Sequence, residues 1–144
     1  MEMQPKLINA KSGRDEVYSD ERIVDFLHKH LEEYGDPKED IQSCLNYVHD
    51  RGGFVLLGIV EDEIIGAVIV NETGMSKFIP ENILVYIAMD KAQRGKGYGK
   101  ELMRNAIKLC KGDIALHVEP NNPAKFLYEK LGFTNKYLEM RLAR

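Results

Sequence analysis

The stretch "MDKAQRGKGYGKEL", residues Met89 to Leu102, sets Gly95, Gly97 and Gly99 at alternate positions among Lys91, Arg94, Lys96 and Lys100. A hydrophobic run, "ILVYIAMD", leads into it. Behind it Leu102, Met103, Ala106, Ile107 and Cys110 recur three and four apart. The pattern predicts a strand, a glycine turn and a helix ending at Gly112. A strand that turns through glycines into a helix presents unpaired backbone N–H groups and the positive end of the helix dipole. Such a turn binds phosphate. Without Cβ atoms, Gly97 and Gly99 admit a pyrophosphate close to the main chain, and Arg94 is expected to pair with phosphate oxygens through its planar fork. The plain alternative is a tight turn decorated with solubilising lysines. Three glycines in five residues, with basic flanks and a helix directly after, favour anion binding.

Two common nucleotide motifs fail here. G-x-G-x-x-G counted from Gly95 ends on Lys100, and no G-x-x-x-x-G-K-[ST] run exists. "RGKGYG", Arg94 to Gly99, fits the form [QR]-x-x-G-x-[GA] at every position.

Working outward, "PKLINA" reads as a first strand. Asp20 is expected to cap a helix with Ile23, Val24, Leu27, Leu31 and Tyr34 on one side and Gly35 as its stop. Asp36, Pro37 and Glu39 read as the capping box of a second helix, whose face is Ile41, Cys44, Leu45 and Val48. "FVLLGIV", "EDE" and "IIGAVIV" form a hairpin pattern. After the glycine turn and its helix come a strand "DIALHV", a short helix "PAKFLYEKLGF" and a last strand "KYLEMRL". The order β-α-α-β-β-β-α-β-α-β is neither strict alternation nor two separate halves. It predicts an α+β fold with a mixed sheet, in which Ile83 to Val118 is a β-α-β unit with a parallel crossover.

The length of 144 residues suits one domain over residues 1–144. A net charge of −3 argues against general nucleic-acid binding. The longest apolar run is too short to span a membrane, and "MEMQPKLINA" lacks the basic start and apolar run of a secretory leader. Cys44 and Cys110 fall in helical patterns without metal-ligand spacing. They read as buried, reduced core residues, which suits a cytoplasmic protein, and no metal site is expected.

Two blocks resemble the GNAT family of acetyl-CoA-dependent N-acyltransferases. "YIAMDKAQRGKGYGKELMRNAI" is similar to the strand, pyrophosphate loop and helix that hold the cofactor there. "LHVEPNNPAKFLYEKLGF" is similar to that family's strand, Asn-x-x-Ala-x-x-[LF]-Tyr helix and Gly-Phe ending. Together they span Tyr86 to Phe133, about a third of the chain. The resemblance implies a mostly antiparallel central sheet with helices on both faces and a parallel cofactor unit. It implies acetyl-CoA as acyl donor, with the amides of Arg94, Gly95, Lys96, Gly97, Tyr98 and Gly99 around the pyrophosphate. The edge at Ile87, Ala88 and Met89 would hold the pantetheine arm, with an N–H there, such as that of Met89, facing the oxyanion. Asn121 falls on the family's asparagine, with Asn122 as the alternative because the preceding connection is one residue shorter than is common.

Within the same resemblance Tyr128 matches the general acid that protonates the leaving thiolate, the alternative being a core tyrosine. His117 stands where some ribosomal-protein acetyltransferases of the family carry a glutamate, and an imidazole accepts an amine proton near neutrality. Glu119, two residues on, shares its face if the strand extends that far. Ordinary polar strand-end positions are the alternative for both. Glu81 is a third candidate base, and a water chain would make a dedicated base unnecessary. Glu32, Glu33, Asp36, Glu39 and Asp40 make the helix junction acidic, which favours a cationic amine acceptor or is simply a solvated face. His28, His30 and His49 receive no role. The family often has two more strands after Gly-Phe, but only eleven residues follow Phe133 here. An exposed sheet edge is therefore expected, and with it room for a homodimer. The reading is an N-acetyltransferase acting by direct attack of an amine, set against a non-catalytic acyl-CoA-binding module.

Overall fold

The runs "FVLLGIV" and "IIGAVIV" offer no polar face, and strands of that kind need cover on both sides. The computed structural model, which describes residues 2–144, supplies it. The elements are β1 (Gln4–Ile8), α1 (Asp20–Leu31), a 3-10 turn (Glu32–Tyr34), α2 (Lys38–Asp50), β2 (Gly53–Val60), β3 (Glu63–Glu72) and β4 (Asn82–Met89). A second 3-10 turn (Lys91–Gln93), α3 (Tyr98–Leu109), β5 (Ile114–Leu116) and α4 (Ala124–Lys130) complete the order. One sheet carries the five strands in sequence order. Its first three pairings are antiparallel and β4–β5 is parallel. The expected mixed sheet with one parallel unit is what the chain forms.

Side-chain alternation divides the core in two. Val55, Leu57 and Ile59 pack with Ile23, Val24 and Leu27 of α1 and with Ile41, Leu45 and Val48 of α2. Phe54 and Leu56 face the opposite way, toward Leu102, Met103 and Ala106 of α3 and Tyr128 of α4. The β2–β3 hairpin turns on Glu61 and Asp62, both left-handed with φ 49° and 64°. A consecutive left-handed pair matches the twist of the flanking strands. Among the described residues no helix is long and apolar enough to cross a membrane.

Several expected boundaries shift for physical reasons. Ser19, not Asp20, caps α1, its side chain accepting the Arg22 N–H at 3.3 Å. Asp36 does not cap α2. Pro37 holds that position, because the Asp36 carboxylate accepts the Tyr86 hydroxyl from the sheet at 2.5 Å. The strand expected over "DIALHV" pairs only from Ile114 to Leu116, so His117 and Glu119 lie beyond it. The expected last strand "KYLEMRL" does not form. Among the described residues nothing pairs with it, and a strand exists only by pairing. Cys44 is buried as expected, whereas Cys110, just past α3, is half-buried.

Candidate active site

The sheet splits where the site begins. Register along β3–β4 runs Ile69↔Tyr86, then Val70↔Leu84, so Val85 is an extra, bulged residue. The bulge reverses the faces of β4. Leu84 points into the α3 side of the core, while Tyr86 and Ala88 point to the α1 and α2 side. Parallel pairing with β5 covers only Asn82, Ile83 and Leu84. From Val85 to Met89 the β5-facing edge of β4 is open. Buried Asn82 anchors the closed end, donating to the Lys111 and Asp113 carbonyls at 2.8 and 3.2 Å.

The open edge runs straight into the glycine turn. Asp90 caps its 3-10 start by accepting the Ala92 N–H at 2.9 Å. Gly97 is the N-cap of α3 at φ 84°, ψ 1°, a left-handed conformation suited to glycine. A Cβ built on Gly95 or Gly97 would meet no atom within 4 Å. The space in front of this backbone is therefore open to a ligand. Gly99 is different. A Cβ there would stand 3.4 Å from Met89 Cγ and 3.9 Å from Leu127 Cδ2, so this glycine lets α3 close on the end of β4. Beside the turn a groove of about 480 Å³ is lined by Lys96, Lys100, Arg104 and Lys108 together with Glu101 and Asn105. Its charge suits a polyanion.

Arg94 does not reach toward that space. Its guanidinium donates to Glu32 Oε1 at 3.2 Å, to the His30 carbonyl at 3.1 Å and to the Met89 carbonyl at 3.4 Å. Lys91 adds an ion pair to the same Glu32 oxygen at 3.5 Å. The arginine thus fastens the glycine turn to the end of α1. Burial by itself pushes the Glu32 carboxyl up, but the Arg94 hydrogen bond and the neighbouring cations outweigh it and hold the group below the usual carboxylate range.

His30, given no role from sequence, belongs to this fastening. It is buried, its ring lies 4.6 Å from that of Phe26, and its Nδ1 accepts the Lys91 N–H at 3.4 Å. Burial lowers its pKa from the ordinary 6.5, Asp90 opposes this, and the charges of Lys29, Arg94 and Lys91 add to it. His49 is lowered by burial in the same direction. A histidine held neutral in the folded state contributes stability that is full above its unfolded pKa and is lost as pH falls below it. Thermal unfolding should therefore come earlier as pH drops from 7 to 5. Replacing His30 by glutamine should flatten that dependence, leaving the smaller slope from His49.

The far wall is the turn between β5 and α4. Tyr128 sits on the inner face of α4, 7% exposed, with the Phe133 ring edge-on at 6.1 Å. It shares its cluster with Ile87, Met89 and Leu116, the residues flanking the split. Burial pushes its phenol up to about 12. Asn122 Oδ1 accepts the Ala124 N–H at 2.9 Å, so its side chain is engaged at the start of α4. Asn121 keeps an exposed side chain, and its carbonyl accepts the Tyr34 hydroxyl at 3.2 Å. The 3-10 turn after α1 therefore touches both walls, through Glu32 on the glycine turn and Tyr34 on the β5–α4 turn. Burial and the charges of Glu33, Glu119 and Glu32 raise the Tyr34 pKa, which places these carboxylates around the mouth. His117 and Glu119 are both exposed. Glu81 lies away from the mouth, accepting the Asp113 N–H at 3.2 Å. Burial pushes the thiols of Cys44 and Cys110 up to about 12 and about 11, far from a reactive thiolate.

Comparison with known proteins agrees with the fold. The acetyltransferase (GNAT) family matches residues 16–133. N-alpha-acetyltransferase 30 of Xenopus laevis is 30% identical over 92 residues, covering 60% of this chain and 34% of that protein. The match thus spans about a third of that relative's length. Among solved structures, a possible acetyltransferase from Clostridium difficile 630 superposes with a TM-score of 0.69 at 18% identity, over 100% of this chain and 98% of the other. An aminoglycoside N-acetyltransferase in complex with CoA superposes with a TM-score of 0.69 at 16% identity, over 99% and 94% of the two chains. These structures share the fold.

Proposed function

This chain belongs to the acetyltransferase (GNAT) family, and we propose that it moves an acetyl group from acetyl-CoA to a primary amine by direct attack of the amine on the thioester. One observation carries the reading: β4 loses its β5 partner after Leu84, so that an open strand edge leads into an open glycine turn. An extended pantetheine arm fits that edge at Ile87, Ala88 and Met89 as an added strand would. The amides from Arg94 to Gly99 at the start of α3 fit its pyrophosphate, and Lys96, Lys100 and Arg104 suit the remaining negative charge.

As the new C–N bond forms, the C–S bond breaks, the amine loses a proton and the sulfur gains one. Tyr128, neutral at any working pH with its pKa near 12, supplies the proton to sulfur. His117 or a water held near Glu119 takes the proton from nitrogen. Backbone N–H groups at Met89 face the developing oxyanion. Asn121 rather than Asn122 serves the pantetheine side, since Asn122 is engaged in starting α4. Glu32 is paired with cations and Asp36 with Tyr86. Of the acidic helix junction this leaves Glu33, Glu39 and Asp40, and Glu33 together with Glu119 acts on Tyr34 and suits a cationic acceptor. Residues 1–144 act as a single domain, and the reduced state of its cysteines suits the cytoplasm.

The test is release of free thiol from acetyl-CoA across a panel of polyamines, aminoglycosides, lysine and peptide N-termini. Turnover with a primary amine is expected. Tight acetyl-CoA binding with no turnover across the panel would leave the chain an acyl-CoA-binding module.

A further inference from the structure

Glu32 stands in a backbone conformation that favours glycine. At φ 56° and ψ −129° it ends α1 in a region that residues with a Cβ rarely adopt. Such residues persist only where their surroundings hold them, and they gather at clamps and switch segments. Here the holding groups are on both sides. One Glu32 carboxylate oxygen takes Arg94 at 3.2 Å and Lys91 at 3.5 Å. Two residues on, the Tyr34 hydroxyl donates to the Asn121 carbonyl at 3.2 Å. Between them the Gly35 N–H donates to the Glu32 carbonyl at 3.3 Å, and a Cβ on Gly35 would stand 2.8 Å from Leu31 Cβ, which leaves no room for a side chain. The junction is a short strap across the mouth, tied to the glycine turn at one end and to the β5–α4 turn at the other.

The cationic tie is the exchangeable one. The Arg94 and Lys91 side chains are half-exposed and Glu32 is exposed, a setting in which ion pairs are weak. Arg94 is also the first residue of the turn whose amides fit a pyrophosphate. A pyrophosphate offers a planar guanidinium more oxygens and more charge than a single carboxylate does.

The geometry points to Glu32 as a latch: Arg94 and Lys91 hold it until they exchange its carboxylate for the pyrophosphate of acetyl-CoA, whereupon the strained junction relaxes, Tyr34 leaves Asn121 and the mouth widens. The inference rests on the proposed function and adds to it a positioning residue, which acts through Arg94 and Tyr34 and touches no reacting atom. The sequence-based expectation that Arg94 grips phosphate and its observed grip on Glu32 are then two positions of one side chain. The shift needs a difference in affinity between closed and open strap. The two cations supply it, because the closed strap and the pyrophosphate draw on the same pair. By linkage, the closed strap must weaken acetyl-CoA binding. A static brace, in which Glu32 merely keeps the turn in shape, requires the opposite sign.

The experiment reads that sign. Glu32→Gln keeps the shape of the side chain and gives up its hold on the two cations, so calorimetric titration should show acetyl-CoA binding about three- to ten-fold tighter than in the wild type. In a background carrying Arg94→Gln and Lys91→Gln, the same substitution should change binding by less than about two-fold, since the partners it acts through are gone. Hydrogen–deuterium exchange on the wild type should show amides of residues 33–36 exchanging faster with saturating acetyl-CoA, while those of residues 95–99 slow. Weaker or unchanged binding by Glu32→Gln would make Glu32 a static brace and overturn the latch. Tightening that persists without the two cations would overturn it as well, by reducing the effect to removal of one negative charge. Unchanged or slowed exchange over residues 33–36 would mean that the strap stays shut. Each of these outcomes leaves acetyl-CoA bound and the proposed function standing, whereas no binding by any variant would sink both.

Discussion

Gly97→Glu is expected to abolish acetyl-CoA binding while leaving the fold in place. The position combines two facts that separate binding from stability. Its backbone is left-handed, φ 84° at the N-cap of α3, so any side chain there costs about 1–2 kcal/mol of local strain. Its Cβ direction is empty, with no atom within 4 Å of an added Cβ, so a side chain can leave the backbone there without an immediate clash. Glutamate would project a negative charge into the space in front of the amides, where the pyrophosphate is expected. Repulsion and occlusion together should weaken binding by about 100-fold or more, a little under 3 kcal/mol. Gly97→Ala bears the same backbone strain without the charge and should weaken it far less. Calorimetric titration of both variants, with circular dichroism as the folding control, separates strain from electrostatics. Equal binding by wild type and Gly97→Glu would mean that the turn holds no phosphate.

Tyr128→Phe should lower kcat by about 10²–10⁴-fold, the usual contribution of a positioned acid, with KM nearly unchanged. Phenylalanine keeps the ring against Phe133 and the packing of α4 on α3, so stability should change little. With its pKa raised to about 12, Tyr128 stays protonated throughout the assay range. It should contribute no basic limb to the pH–rate profile. A variant within three-fold of wild type would return this residue to the core and move the thiolate's proton source to water.

What the sequence revealed and what it concealed divide along local and non-local interactions. The glycine turn, α3 and the hairpin could be read because spacing and turn chemistry act within a few residues, whereas helices on both faces of the sheet were expected only from the family resemblance. The split of β4 from β5 could not. It depends on a bulge at Val85 that exists only relative to β3. Asp36 looked like a cap until Tyr86, fifty residues away, took its carboxylate. Arg94 looked like a phosphate ligand until Glu32 and the His30 carbonyl, both on or beside α1, occupied its guanidinium. The last strand was expected from alternation alone, and alternation says nothing about whether a partner edge is within reach. His30 carried no signal at all, because its partner is a backbone N–H in a loop 61 positions on.

The central claim is that the open edge of β4 and the glycine turn form an acetyl-CoA site. Calorimetric titration of the wild-type chain with acetyl-CoA, repeated in the presence of ADP, tests it most directly. The account predicts one-site binding that ADP only partly displaces, because the pantetheine arm on β4 adds contacts that a nucleotide lacks. A well-folded chain that takes up no acetyl-CoA, or that binds ADP as tightly, would contradict it.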